Sequence, residues 1–119
     1  MSIAVALDQL RDEIAARGDA AFAVTVGDGG PHVVSVRLAW DGDVLVGGAG
    51  SRTAANVAAR PSVTLLWPGE TFTSFSLLVD GTAAVVDEQL RVTPAKAVLH
   101  RAAEAAAAAD GPSCVKVLE

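Results

Sequence analysis

A chain of 119 residues has room for one hydrophobic core and little else. Apolar residues make up 51% and charged residues 19%, which excludes a disordered chain. The net charge of −5, with nine scattered basic residues, excludes the basic face that a nucleic-acid backbone requires. Met1-Ser2-Ile3 lacks the basic start of a signal peptide, no apolar run reaches membrane-spanning length, and a single cysteine, Cys114, has no internal disulfide partner. The expectation is a cytoplasmic protein.

In chain order, Ile3, Leu7, Leu10 and Ile14 recur at spacings of four, three and four, with Asp8, Gln9, Arg11, Asp12 and Glu13 between them. This predicts an amphipathic helix over 2–17, stopped by Gly18. The period then changes. Residues 21–27 read as a strand, Asp28-Gly29-Gly30 as a tight turn, 31–40 as a second strand, Asp41-Gly42-Asp43 as a turn and 44–48 as a third strand. Together they suggest an antiparallel meander. The apolar residues of 33–40 do not alternate cleanly, which predicts a strand covered on both faces.

Gly50-Ser51-Arg52-Thr53 opens a short helix to about residue 59, and Arg60-Pro61 ends it. Residues 62–67 are a strand, Pro68-Gly69-Glu70 a loop, and 72–87 a long extended stretch with Gly81 as its bulge or bend. Asp87 and Glu88 read as turn residues. The stretch 90–100 supports two readings: Thr93-Pro94 as a helix start, or a strand reaching His100. Residues 102–109 read as helix, 110–112 as its stop and 113–118 as a closing strand. Five to seven strands in succession, with two or three helices, argue for a barrel or sandwich.

The segment Gly50–Asn56 carries the chemistry. The first N–H groups of a helix lack internal partners and its dipole adds partial positive charge, so an anion is well served there. Arg52 offers a bidentate charge-assisted contact, and Gly47, Gly48 and Gly50 let a ligand approach the backbone. The plainer alternative is a Ser51 cap with Arg52 in solvent. His32 and His100 are candidate proton donors or packed histidines. Two histidines and one cysteine, widely separated, make no zinc site. Ser35 and Ser74, read as strand residues, lack a nucleophile elbow. Trp40 and Trp67 are candidates for stacking on a ring or for anchoring the core.

The run Gly50-Ser51-Arg52-Thr53-Ala54, then Val57, then Pro61-Ser62-Val63-Thr64-Leu65-Leu66-Trp67 resembles the pyridoxamine 5′-phosphate oxidase-like family. The family pattern there is Gly-Ser-Arg-Lys-Ala, a hydrophobe, then Pro-x-Val-x-Leu-Leu and an aromatic. Asp28-Gly29-Gly30-Pro31-His32 and Leu78-Val79-Asp80-Gly81-Thr82-Ala83 also resemble it, in the expected order, so the likeness covers roughly residues 20–86.

The resemblance implies a mainly β split barrel of the FMN-binding type, a homodimer with the cofactor in a groove between subunits. FMN and coenzyme F-420 are the cofactors it allows, for hydride or electron transfer to a small molecule. A non-catalytic carrier or a cofactor-free barrel is the alternative. It implies that Ser51 and Arg52 hold the cofactor phosphate, that the backbone of Ser35, Val36, Arg37 and Leu38 orients the ring, and that Gly48 and Thr53 border the site. Val98-Leu99-His100-Arg101 resembles a segment of uncharacterised family members, which adds Arg101 to the binding set and His100 to the catalytic candidates. Thr53 stands where FMN-binding members have lysine, so one cation is missing and only a hydroxyl donor remains. The chain ends soon after Leu118, and activity on pyridoxamine phosphate is not expected.

Overall fold

In the computed structural model, which describes residues 1–102, the N-terminal segment is not the single helix expected over 2–17. Ser2–Val5 is a strand (β1), Leu7–Gln9 is one 3-10 turn, and only Leu10–Arg17 is α-helix (α1). β1 pairs antiparallel with the last described strand, Ser2 opposite His100 and Val5 opposite Ala97. An open sheet edge offers a row of unpaired backbone groups, and this pairing overrides the helical period. Ile3 and Leu7 stay about half exposed while Leu10 and Ile14 enter the core.

Ala20–Gly27 (β2) and Gly30–Arg37 (β3) form a hairpin around Asp28-Gly29. The predicted strand 31–40 breaks at Leu38, whose N–H bonds to the Asp19 carbonyl at 2.8 Å. Ala39–Asp41 (β4) then pairs with Val44–Gly48 (β5). The expected meander is therefore two separate hairpins, because β3 pairs with β2 whereas β5 pairs with the last strand. Gly47 permits the close crossing between them: a Cβ there would stand 2.6 Å from the Arg37 carbonyl oxygen. Along β3 the burial alternates after all, with Val33, Ser35 and Arg37 exposed and Val36 and Leu38 buried. One face is open, not both covered.

Ser51–Ala59 (α2) and Ser62–Trp67 (β6) form as the sequence predicts. The extended stretch begins later than residue 72. Thr71–Phe75 turn, with the Ser74 N–H bonded to the Thr71 carbonyl, and Ser76–Val86 is the strand (β7). Ser74 thus lies in a turn rather than a strand. Asp87 and Glu88, at φ 53° and 65°, form the two-residue connection to Gln89–His100 (β8), the left-handed pair that suits the twist of a hairpin.

The ambiguous stretch 90–100 is strand, because β7 pairs with β8 along nearly its whole length. Pro94 is tolerated inside β8 for a local reason. On the other edge, β5 pairs only with Gln89–Val92 and β1 only with Ala97–His100, so no ladder bond is lost at Pro94 on that side. The register shift at Asp80/Gly81 lies opposite it and is the expected bulge. The readings for 102–109, 110–112 and 113–118, and Cys114, lie outside the described residues.

Eight antiparallel strands in the order β3-β2-β6-β7-β8-β5-β4, with β1 on β8, curl into a half-barrel. Among the described residues alone the count exceeds the expected five to seven, because β1 replaces helix and the second strand splits. The inner face buries Ala23, Leu65, Trp67, Leu77, Val79 and Val92, closed by Leu10 and Ile14 of α1 and Val57 of α2. Trp67 is a core anchor, its Nε1 donating to the Gly18 carbonyl at 3.1 Å. On the outer face, Phe22, Leu66, Leu78 and Val98 lie side by side across four strands, partly or fully exposed. Among the described residues, no helix is long and apolar enough to cross a membrane.

Candidate functional site

α2 begins at Ser51 after an extended Gly50, and no side chain caps it. Ser51 is therefore an exposed first-turn residue rather than the cap. The helix lays Thr53, Asn56 and Val57, at i, i+3 and i+4, on the sheet. Asn56 is the informative member of that stripe. Its Nδ2 donates to Thr25 Oγ1 at 3.0 Å, and both residues are buried. Thr25 stands opposite His32 in the β2–β3 ladder, so the two share a face.

Above this polar floor, Arg52, His32 and Asn56 join the hairpin backbone of Gly27–Pro31 around a pocket of about 180 Å³. A side chain at Gly27 would collide with Asn56 Oδ1, so the wall is glycine by necessity. Asp28 also lines the pocket, but Arg60 holds its carboxylate at 3.0 Å. Arg11, Arg17, Arg37, Arg60 and Arg91 each pair with a carboxylate. Arg52 has no such partner among the described residues. His32 Nδ1 is enclosed and has no hydrogen-bond partner there either. An unpaired guanidinium and a histidine, with no unpaired acid beside them, suit an oxyanion.

His100 and Arg101 are not part of this pocket. They line a separate cleft of about 570 Å³ with Phe72 and the 68–71 loop. There His100 Nδ1 lies 3.0 Å from Ser2 Oγ, and the Arg101 guanidinium sits over the Phe75 ring at 4.6 Å. Ser35 and Arg37 lie on the outer face of β3, Ser35 opposite Phe22 and Arg37 paired with Asp19 at 2.9 Å. Val36 and Leu38 point inward, and the Leu38 amide is already bonded. Gly48 ends β5 with open space around it.

Thr53 requires correction. At 3% exposure Thr53 is buried with the inner stripe of the helix instead of standing open to a ligand. Its helical stripe with Asn56 and Val57 turns it inward. Trp40 lines a third cleft beside α1, stacked under Arg11 at 4.2 Å, with its Nε1 enclosed and, among the described residues, unpartnered.

The sequence included Asn56 in the Gly50–Asn56 segment without a role of its own, and it did not single out Thr25 or Gly27 beside this pocket. A signal for Asn56 was present: an amide on the apolar stripe of a helix needs a buried partner. Thr25 and Gly27 carry no comparable mark, because a strand sequence does not say which helix will cross it.

Three comparisons bear on this fold. The family model for pyridoxamine 5′-phosphate oxidase matches residues 7–118. An uncharacterised protein of Mycobacterium bovis is 39% identical over 81% of this chain and 78% of its own. Among solved structures, a pyridoxamine 5′-phosphate oxidase candidate from Listeria innocua superposes with a TM-score of 0.64 at 16% identity, over 78% of this chain and 99% of that one. An FAD-binding protein of Mycobacterium smegmatis does so with a TM-score of 0.60 at 14% identity, over 85% and 100%. These two structural likenesses establish the fold. The match along nearly the whole sequence establishes the lineage: the chain belongs to the pyridoxamine 5′-phosphate oxidase family.

Proposed function

We propose that this protein binds FMN or the deazaflavin coenzyme F-420 and serves as an oxidoreductase toward a small molecule. The observation that carries the reading is Arg52, unpaired among the described residues and facing a glycine-walled pocket beside His32. The pocket suits a phosphate. At about 180 Å³ it falls below the ~300 Å³ at which sites for whole small molecules begin, so it receives one group while the rest of the cofactor lies outside.

When bound, the flavin or deazaflavin ring supplies the hydride or electron chemistry. The chain's own residues have simpler tasks. Arg52 and the first turn of α2 hold the anionic end, and Gly48 at the end of β5 leaves the backbone approachable. The outer face of β3, with Ser35 and Arg37, borders the groove in which the ring lies.

A second copy of the chain completes that groove in this reading. The aligned Phe22, Leu66, Leu78 and Val98 support it, since an apolar rung across four strands gains by being covered. Light scattering is expected to give a dimer at micromolar concentration; a monomer would remove the shared groove.

The test of function is titration of the purified apoprotein with FMN and, separately, with coenzyme F-420, followed by fluorescence. Saturable binding of one identifies the cofactor. Binding of neither overturns the reading. Binding without turnover of the reduced cofactor over a broad panel of acceptors would make the protein a carrier.

A further inference from the structure

We infer that His32 is the second phosphate donor of the Arg52 pocket, in place of the cation that position 53 does not supply. The inference rests on the cofactor-binding reading above and adds a residue and a ligand class to it. Thr53 follows Arg52 directly in the chain, yet it is 3% exposed and turned into the core. Beyond the first turn of α2 itself, a further side-chain contact to an anion held by Arg52 comes from across the pocket. The hairpin provides the opposite wall, and His32 is the one side chain on it, among the described residues, that carries a donor not already engaged. Asp28, the acid on that wall, is tied to Arg60 at 3.0 Å.

The geometry also selects the atom. His32 Nδ1 is enclosed without a partner. An orphaned buried N–H is rarer and costlier than an unpaired acceptor, so we assign the proton to Nε2. That N–H is then the group the ring offers to a ligand in the pocket. A guanidinium fork from α2 and a single N–H from β3 reach the anion from two elements. A terminal phosphomonoester, with three non-bridging oxygens, satisfies both and keeps an oxygen for solvent. The ligand class is a cofactor ending in a phosphate, and FMN is the probe.

FMN and riboflavin differ only by that phosphate. The full chain is titrated with each, as wild type, His32→Leu and His32→Gln. Wild type is expected to bind FMN at least about tenfold tighter than riboflavin. His32→Leu is expected to lower that ratio about fivefold with riboflavin affinity unchanged. His32→Gln, whose amide N–H occupies the Nε2 position, keeps most of it.

An unchanged ratio in His32→Leu, with Arg52→Ala lowering it, overturns the role of His32 and leaves cofactor binding standing. Equal affinities for FMN and riboflavin in the wild type overturn the phosphate pocket. Binding of neither FMN nor riboflavin overturns the phosphomonoester inference, and it overturns the cofactor reading as well when coenzyme F-420 also fails to bind. A measurement on the wild type alone guards against a misfolded variant: FMN, but not riboflavin, must shift the His32 ring nitrogen resonances in NMR spectra. No difference between the two ligands overturns the inference.

Discussion

Two clefts of this molecule each contain one histidine and one arginine that pairs with no carboxylate among the described residues, and they differ in what those groups already hold. In the cleft at the end of β8, His100 meets Ser2 at 3.0 Å and Arg101 lies over Phe75 at 4.6 Å. In the pocket under α2, among the described residues, Arg52 has neither an ion pair nor a ring beneath it, and His32 Nδ1 has no partner. The walls differ too. The β8 cleft is bordered by the exposed 68–72 loop, while the α2 pocket is a hairpin turn fitted against a buried Asn56–Thr25 hydrogen bond. Residue type alone therefore does not mark a binding site. Hydrogen-bonding capacity left open is what separates the α2 pocket from the β8 cleft.

The sharpest way to break this comparison is at the wall. Gly27→Val drives a side chain into Asn56 and separates it from Thr25. Urea denaturation is expected to show a loss of roughly 1–3 kcal/mol, and FMN binding to disappear. Gly48→Ala, in open space, is expected to stay within about 0.5 kcal/mol of wild type. Equal stabilities would mean that the hairpin is not held by α2.

Next in size is Asn56→Leu, which strands the buried Thr25 hydroxyl. It should cost about 1–3 kcal/mol in the same assay, and adding Thr25→Val should restore part of the loss by removing the orphaned group. Absence of that rescue would show that packing, not the hydrogen bond, fixes the helix.

Arg52→Ala is expected to weaken FMN binding about tenfold, by fluorescence titration, with the thermal midpoint unchanged. Arg101→Ala should change the affinity by less than about twofold, since Arg101 lies in the other cleft. The reverse result would move the phosphate site to β8. The smallest effect belongs to His100→Ala. Its contact with Ser2 is exposed, so stability should fall by no more than about 0.5 kcal/mol and FMN affinity should hold.

Much of the architecture was legible locally. β2, α2 and β6 fall within one residue of their predicted bounds, because each ends on its own Gly or Pro signal. The Gly18 stop was legible for the same reason, and the Asp87-Glu88 turn from two adjacent acidic residues between apolar runs. Arg52 was legible as an anion-binding candidate from its place in the first turn of α2.

What failed depended on distant partners. The period of Ile3, Leu7, Leu10 and Ile14 describes a helix, and only the availability of the β8 edge turned Ser2–Val5 into a strand. Residues 90–100 were ambiguous until β7 lay beside them. Ser35, Arg37, Arg52, His100 and Arg101 could not be sorted into separate surfaces while the curl of the sheet was unknown.

By itself, the sequence determined the β-rich class, the turn positions, the family and the identity of the first-turn arginine. These follow from short-range rules of period, dihedral preference and motif. The tertiary structure alone decided that Thr53 faces inward, that His32 and Arg52 share a pocket, and that His100 stands apart from them. Those facts are set by which strand crosses which helix, a relation between residues distant in the chain that no local pattern encodes.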